Sequence, residues 1–197
     1  MIALVAAAAV LATAIGVAAG TPRPLPPPAY AGGSPPGFSG GFREEACDAC
    51  HFSAKLNTGP GALTIAGVPE RYVPGARVPV TVTLARDAMT MAGFQLTVRF
   101  ADGGAQAGTL EAAPDDDARI AVERQGNVQY AGQRQAGTTL ATAGVARWSV
   151  VWTAPASGGP VTFHAAANAA NGDGTAEGDF VHTSSAQSVP AAAPRAP

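Results

Sequence analysis

The chain has 197 residues, a net charge of −2, 13% charged residues, 24 glycines and 17 prolines, which is enough for one domain with tails. The near-neutral balance gives no electrostatic case for nucleic acid or an anionic membrane surface. With only three tyrosines and two tryptophans, a base-stacking platform for single strands is also excluded.

Residues 2–19 are an uninterrupted, alanine-rich apolar run. As a helix this run is ~27 Å long, so residues 1–19 read as a signal peptide or an N-terminal membrane anchor. No Lys or Arg precedes the run; Val17-Ala18-Ala19 before Gly20 offers a small-residue cleavage site, and Ala29-Tyr30-Ala31 a second. Residues 20–42 are rich in Pro, Gly and Ser and read as an extended linker with no core of its own. Phe38 and Phe42 bracket Gly40-Gly41 just before the next motif, placed either to pack on a cofactor edge or to dock the linker on the domain.

Residues 43–61 carry the chemistry. Cys47-Asp48-Ala49-Cys50-His51 contains the only two cysteines of the chain, in the C-x-x-C-H spacing of covalent c-type haem attachment. Two thiols at this spacing can each add to one vinyl group of a haem, and the adjoining imidazole then reaches the iron as proximal ligand. A Cys47–Cys50 disulfide or a redox dithiol would not need His51. Zinc would need further ligands, and the chain supplies no second Cys pair and only two more histidines. Haem c is attached outside the bacterial cytoplasm, so an export signal upstream of this motif is mutually supportive.

From residue 62 the pattern turns to period two. Val78, Val80, Val82 and Leu84 share one face, as do Phe94, Leu96, Val98 and Phe100, then Trp148, Val150 and Trp152, then Val161 and Phe163. Turn-forming pairs such as Pro74-Gly75, Gly103-Gly104 and Gly158-Gly159 separate these runs. Strands are expected at about 62–68, 77–84 and 93–100, two or three within 106–145, then 147–153, 161–168 and 180–189. This pattern predicts an all-β, antiparallel β-sandwich over 62–189 with no helix of note, and a disordered tail at 190–197.

Several stretches together resemble one bacterial family. They are 35–42, the Cys47–His51 motif, Asn57-Thr58-Gly59, 68–75, 92–96, Ala107-Gly108-Thr109-Leu110, Trp152-Thr153-Ala154-Pro155, Phe163 and 168–172. The chain is similar over about 35–184 to exported reelin-domain-like proteins, also called choice-of-anchor V domains, many of which begin with C-x-x-C-H. The resemblance implies an immunoglobulin-like sandwich, preceded here by the haem-attachment segment, in an exported and often surface-linked protein; it implies little about activity.

Antiparallel connection rules put the haem motif at the same end of the sandwich as loops 87–91 and 171–179. Met89 is therefore the first candidate for a sixth iron ligand, followed by Met91 or His182. His164 starts its strand at the far end and is disfavoured. Gap filling at the core edge is the ordinary role for either Met, and an exposed strand position for His182.

Asp115-Asp116-Asp117 reads as a solvated loop, and Asp173, Glu177 and Asp179 lack the spacing of a calcium-binding EF-hand. Ser53, Ser149 and Ser157 have no nucleophile-elbow context, and no phosphate cradle is present. Arg43, Lys55 and Arg71 could neutralise haem propionates or be solvated surface charges.

The expected function is that of an exported monohaem cytochrome, periplasmic or at the cell surface, carrying electrons to or from a redox partner protein without catalysis of its own. Two alternatives come from other classes. One is a surface binding or sensor module with a structural haem; the other is a haem-free adhesion-type sandwich with a Cys47–Cys50 disulfide.

Overall fold

A computed structural model describes residues 32–192. The apolar run 2–19, the linker up to residue 31 and the last five residues of the tail lie outside them. No helix among the described residues is long and apolar enough to cross a membrane.

Ten strands form the domain: β1 (Ala62–Ala66), β2 (Arg71–Tyr72), β3 (Arg77–Ala85), β4 (Met91–Phe100), β5 (Thr109–Ala112), β6 (Ile120–Gln125), β7 (Val128–Gln133), β8 (Val145–Thr153), β9 (Val161–Ala170) and β10 (Phe180–Pro190). They build two sheets, one in the order β1-β3-β8-β5 and one in the order β2-β10-β9-β4-β7-β6. All pairings are antiparallel except the short β10–β2 contact. The fold is an all-β, immunoglobulin-like antiparallel β-sandwich. The region 106–145 holds three strands. The tiny β2 was not visible as a period-two run because it has only two residues.

Alternation drives the core. Val80, Val82 and Leu84 of β3 and Trp148, Val150 and Trp152 of β8 are completely buried. They face Phe94, Leu96 and Val98 of β4 and Phe163 of β9 across the interior. Phe94 stacks on Trp148 at 4.4 Å between centroids, and Trp152 meets Phe163 edge-on at 5.0 Å.

The other face of the six-stranded sheet is the informative one. Met91, Gly93, Gln95, Thr97 and Arg99 alternate with the core residues of β4, and Thr162, His164, Ala166, Asn168 and Ala170 with those of β9. Such a row is expected to face water, yet Gln95, Thr97, Arg99, Thr162 and Asn168 are buried. Residues 32–61 cover them as a strap.

Gly37 N and Phe38 N donate to Gln95 Oε1 at 2.9 and 2.6 Å, and Gln95 Nε2 donates to Ser34 Oγ and Pro35 O at 3.1 and 2.9 Å. A Cβ on Gly41 would fall 2.2 Å from His164 Cγ, so only glycine lets the strap lie this close. Phe42 packs edge-on against His164 and lies under the Arg99 guanidinium. Phe42 and Arg43 both take left-handed backbone (φ 55° and 67°), and the chain reverses so that Glu44 pairs with buried Arg99 and accepts from Tyr130. Farther on, Asn57 exchanges hydrogen bonds with Thr183, side chain to hydroxyl at 2.9 Å and backbone N–H to side chain at 2.7 Å.

Residues 32–42, read from the sequence as an extended linker that could dock on the domain, do lie against it: Gly37 N, Phe38 N and Pro35 O bond Gln95. One expectation is corrected. Asp115-Asp116-Asp117 is not wholly solvated. Asp116 is buried, accepts from Ser149 N at 2.7 Å and pairs with Arg119 at 2.6 Å, fixing a 3-10 turn to the β8 edge.

Candidate functional site

The strap carries the C-x-x-C-H motif near its middle. Residues Cys47–Ala49 form one 3-10 turn, and the N–H groups of Cys50 and His51 both donate to Cys47 O, at 3.2 and 3.0 Å. The turn presents two free thiols, Cys47 half-buried and Cys50 exposed, followed directly by the imidazole.

All three side chains line one cavity of about 360 Å³ between strap and sheet, within the size range of small-molecule and cofactor pockets. Phe38 lines it from the strap and Met91 from β4, and the small residues Gly172, Gly174 and Ala176 of loop 171–179 form part of its wall. Its surface is mainly apolar and no Lys or Arg borders it. Burial pushes the Cys47 thiol up to about 12. That is the opposite of the lowered thiol pKa that a redox dithiol uses.

His51 is oriented by the sheet. Its Nδ1 lies 2.6 Å from Asp179 Oδ2. A carboxylate only accepts, so Nδ1 carries a proton and donates, and in the neutral ring Nε2 is then the nitrogen with the free lone pair. Asp179 is 1% exposed and is held in place by Asn168 Nδ2 at 2.9 Å and Asn171 N at 3.2 Å. Burial alone would raise its carboxyl, but the hydrogen bonds from His51, Asn168 and Asn171 outweigh it and hold the group below the ordinary carboxylate value. Ser53 Oγ donates to Asp179 O at 3.0 Å, so strap and loop are stitched on both sides of the imidazole.

The candidate sixth ligands are placed very differently. Met89, first in the expected order, is 4% exposed and belongs to the hydrophobic core cluster; it does not line the cavity. Met91 does, because the start of β4 turns it to the strap-covered face. Of the two methionines, Met91 lines the cavity and Met89 does not. The connection rules place loops 87–91 and 171–179 at one end but do not tell which methionine faces in.

His182 is also corrected. It is neither exposed nor at the cavity: it is 5% exposed on the inner side of β10, near Gly61 and Arg86. Burial, then the charge of Arg86, pushes its imidazole below the ordinary value, against a weaker upward pull from the Pro60 backbone. His164 lies under Phe42, away from the cavity lining. Of the two bracketing phenylalanines, Phe38 meets the cavity and Phe42 docks the strap. Arg43, Lys55 and Arg71 are not among the cavity residues.

Loop 171–179 uses its acids internally. Asp173 Oδ1 accepts from Thr175 N and Oγ1, both at 2.8 Å, and Asp179 points to His51. Among the described residues no three His, Cys, Asp or Glu side chains converge as a group that could hold a bare metal ion. Cys47, Cys50 and His51 all line the one cavity. Asp179 and Asn168 were missed from the sequence as partners of His51. The signal was there in part, since loop 171–179 was expected at this end, but Asn168 carries no mark of its role in its own strand.

No protein-family model matches the chain, and no curated protein matches it. Solved structures with a similar strand arrangement include the human F-spondin reeler domain, at 18% identity over 71% of this chain and 96% of that one, TM-score 0.47. A second structure, the Reelin-N domain of F-spondin, matches at 18% over 74% and 97%, TM-score 0.46. A cohesin module from a Clostridium perfringens family 33 glycoside hydrolase matches at 12% over 67% and 97%, TM-score 0.48. Likeness of this degree carries no argument about this chain, whose sandwich is established by its own strand pairing.

Proposed function

We propose that this protein is an exported monohaem c-type cytochrome that carries electrons through a haem held between the strap and the outer face of the six-stranded sheet. The observation that carries the reading is convergence: both thiols of the motif, its imidazole and one methionine line the same apolar cavity. Haem attachment needs two thiols at two separate vinyl positions and an imidazole at a third point, the iron. Cys47, Cys50 and His51 lining one cavity suits that demand; zinc needs its ligands around one point, and no such group of His, Cys, Asp or Glu is found among the described residues.

When bound, the haem supplies a one-electron couple. The chain's own residues do the rest. Cys47 and Cys50 fix the group to the strap, and His51 offers Nε2 because Nδ1 is committed to Asp179. Met91 offers a thioether from the sheet side. Phe38 and the small residues of loop 171–179 exclude water. Cys50 is exposed and neighbouring Phe52 is 73% exposed, so a redox partner protein has access to this side. Export, with an N-terminal segment that anchors or is cleaved, fits the maturation of such a haem. The scattered matches to exported reelin-domain-like proteins of the choice-of-anchor V type are read in the same way.

Co-expression with c-type maturation machinery tests this. The denatured protein should keep its haem through acid-acetone extraction and run as a haem-staining band, and Cys47→Ala with Cys50→Ala should abolish the stain. Wild-type protein that emerges colourless, or whose haem extracts freely, would overturn the reading.

A further inference from the structure

We propose that Asp179 is the positioning residue of this site, fixing the tautomer of His51 and setting the iron toward the ferric, low-potential side; this rests on the haem reading above. Asp179 is a carboxylate with 1% exposure whose hydrogen-bond partners are His51, Asn168 Nδ2 and the backbone N–H of Asn171. No Lys or Arg is among them, so its negative charge is left facing the imidazole.

The contact is 2.6 Å, just under the ~2.7–2.9 Å of charge-assisted N–H···O⁻ hydrogen bonds. Asn168 Nδ2 also lies 3.0 Å from His51 Nδ1. Both are donors in this tautomer, so Asn168 acts by holding Asp179 Oδ2, not by binding the ring. A histidine whose Nδ1–H points into a buried carboxylate has a more electron-rich Nε2, and it pushes density onto whatever metal it meets. That favours the more positive oxidation state. A neutral acceptor at the same place would push less. The redox partner that suits such a site is one that accepts electrons from a low-potential donor.

The test compares Asp179→Asn, Asp179→Glu and Ser53→Ala in the haem-loaded protein. Asn keeps the shape and an acceptor but removes the charge. Ser53→Ala loosens the same loop, since Ser53 Oγ bonds Asp179 O, yet leaves the carboxylate. In redox titration Asp179→Asn should move the ferric–ferrous equilibrium about tenfold toward ferrous, ~59 mV for one electron. Asp179→Glu should stay nearer the wild-type potential and Ser53→Ala should match it. An unchanged potential in haem-loaded Asp179→Asn, or an equal shift in Ser53→Ala, would overturn the proposal while leaving the haem itself intact. Wild type without covalent haem would instead overturn the underlying reading. If Asp179→Asn does not fold, nitrogen-15 NMR of the haem-free wild type decides: His51 protonated on Nδ1 supports the assignment, and the Nε2–H tautomer refutes it.

Discussion

Replacing Gln95 by leucine should release the strap without unfolding the sandwich. The Gln95 side chain is 2% exposed and makes four hydrogen bonds, accepting from Gly37 N and Phe38 N and donating to Ser34 Oγ and Pro35 O. At about 1 kcal/mol net for each bond the docked state loses up to ~4 kcal/mol, with more at stake if two backbone N–H groups stayed buried without acceptors. The strap has an escape that a core segment lacks: it can lift and hydrate those groups, so the loss is capped at its own docking free energy. A loss of about 2 kcal/mol would already speed opening-limited amide exchange about thirtyfold. Hydrogen exchange should therefore accelerate at Gly37 and Phe38, while Val80, Leu96 and Trp148 in the core keep their protection and the urea midpoint of the sandwich barely moves. Unchanged exchange at Gly37 and Phe38 in a folded variant would refute the idea that Gln95 anchors the strap. So would a fall in global stability that carries core and strap together.

Three further outcomes follow from the same geometry. In haem-loaded protein, Met91→Leu should remove the weak thioether-to-iron charge-transfer band and any low-spin character, whereas Met89→Leu, a volume-conserving core swap, should cost under about 1.5 kcal/mol in urea unfolding and leave the spectrum alone. Reversal of those two results would return the sixth position to Met89. Burial and Arg86 lower the pKa of His182, so the unfolded chain takes up that proton first; stability should fall as pH drops below the ordinary histidine value and level off below the depressed one. Urea melts from pH 8 to pH 5, about the range where histidines titrate, should show a shallower decline in His182→Gln. The exposed Arg77–Glu111 pair should contribute little, and Arg77→Ala should change the urea midpoint by an amount near the limit of detection.

The sandwich was legible because period-two alternation is a burial signal. Val80, Val82 and Leu84, or Trp148, Val150 and Trp152, carry that signal in their own spacing. The same logic misreads the strap-covered face. Gln95, Arg99 and Asn168 alternate with core residues and are polar, so they pass for a solvated surface; they are buried by residues 32–61, a segment thirty or more residues away that reads as linker and attachment motif. Cys47, Cys50 and His51 were legible as a motif because the chemistry demands a fixed local spacing. Their partners were not, because Asp179 lies 128 residues farther along and its role exists only when the strap docks. Met89 and Met91 show the finest failure. They are two residues apart, but only Met91 lies within β4; Met89 lies in the loop before it, where period-two alternation says nothing about facing, and it enters the core while Met91 meets the cavity.

A group seated in the cavity would be held only while residues 32–61 are docked on the sheet. One wall of the cavity belongs to residues 34–51 and the other to β4, β9 and loop 171–179, so a group seated there contacts both walls only in the docked state. Any ligand that binds one state and not the other stabilises that state, and a covalently held ligand acts at an effective concentration that dilution cannot lower. His51 and Asp179 form the hinge of this coupling: their contact joins the walls before anything else is bound, and it leaves Nε2 unspent. The polar row on the outer sheet face then has a clear reason to be polar. Hydrogen bonds with Gln95 and Arg99 fix the register of a glycine- and proline-rich segment that could not specify its own position by burying apolar side chains. An apolar face would have held the strap less selectively, and the two thiols and imidazole it carries would have had no fixed place to stand.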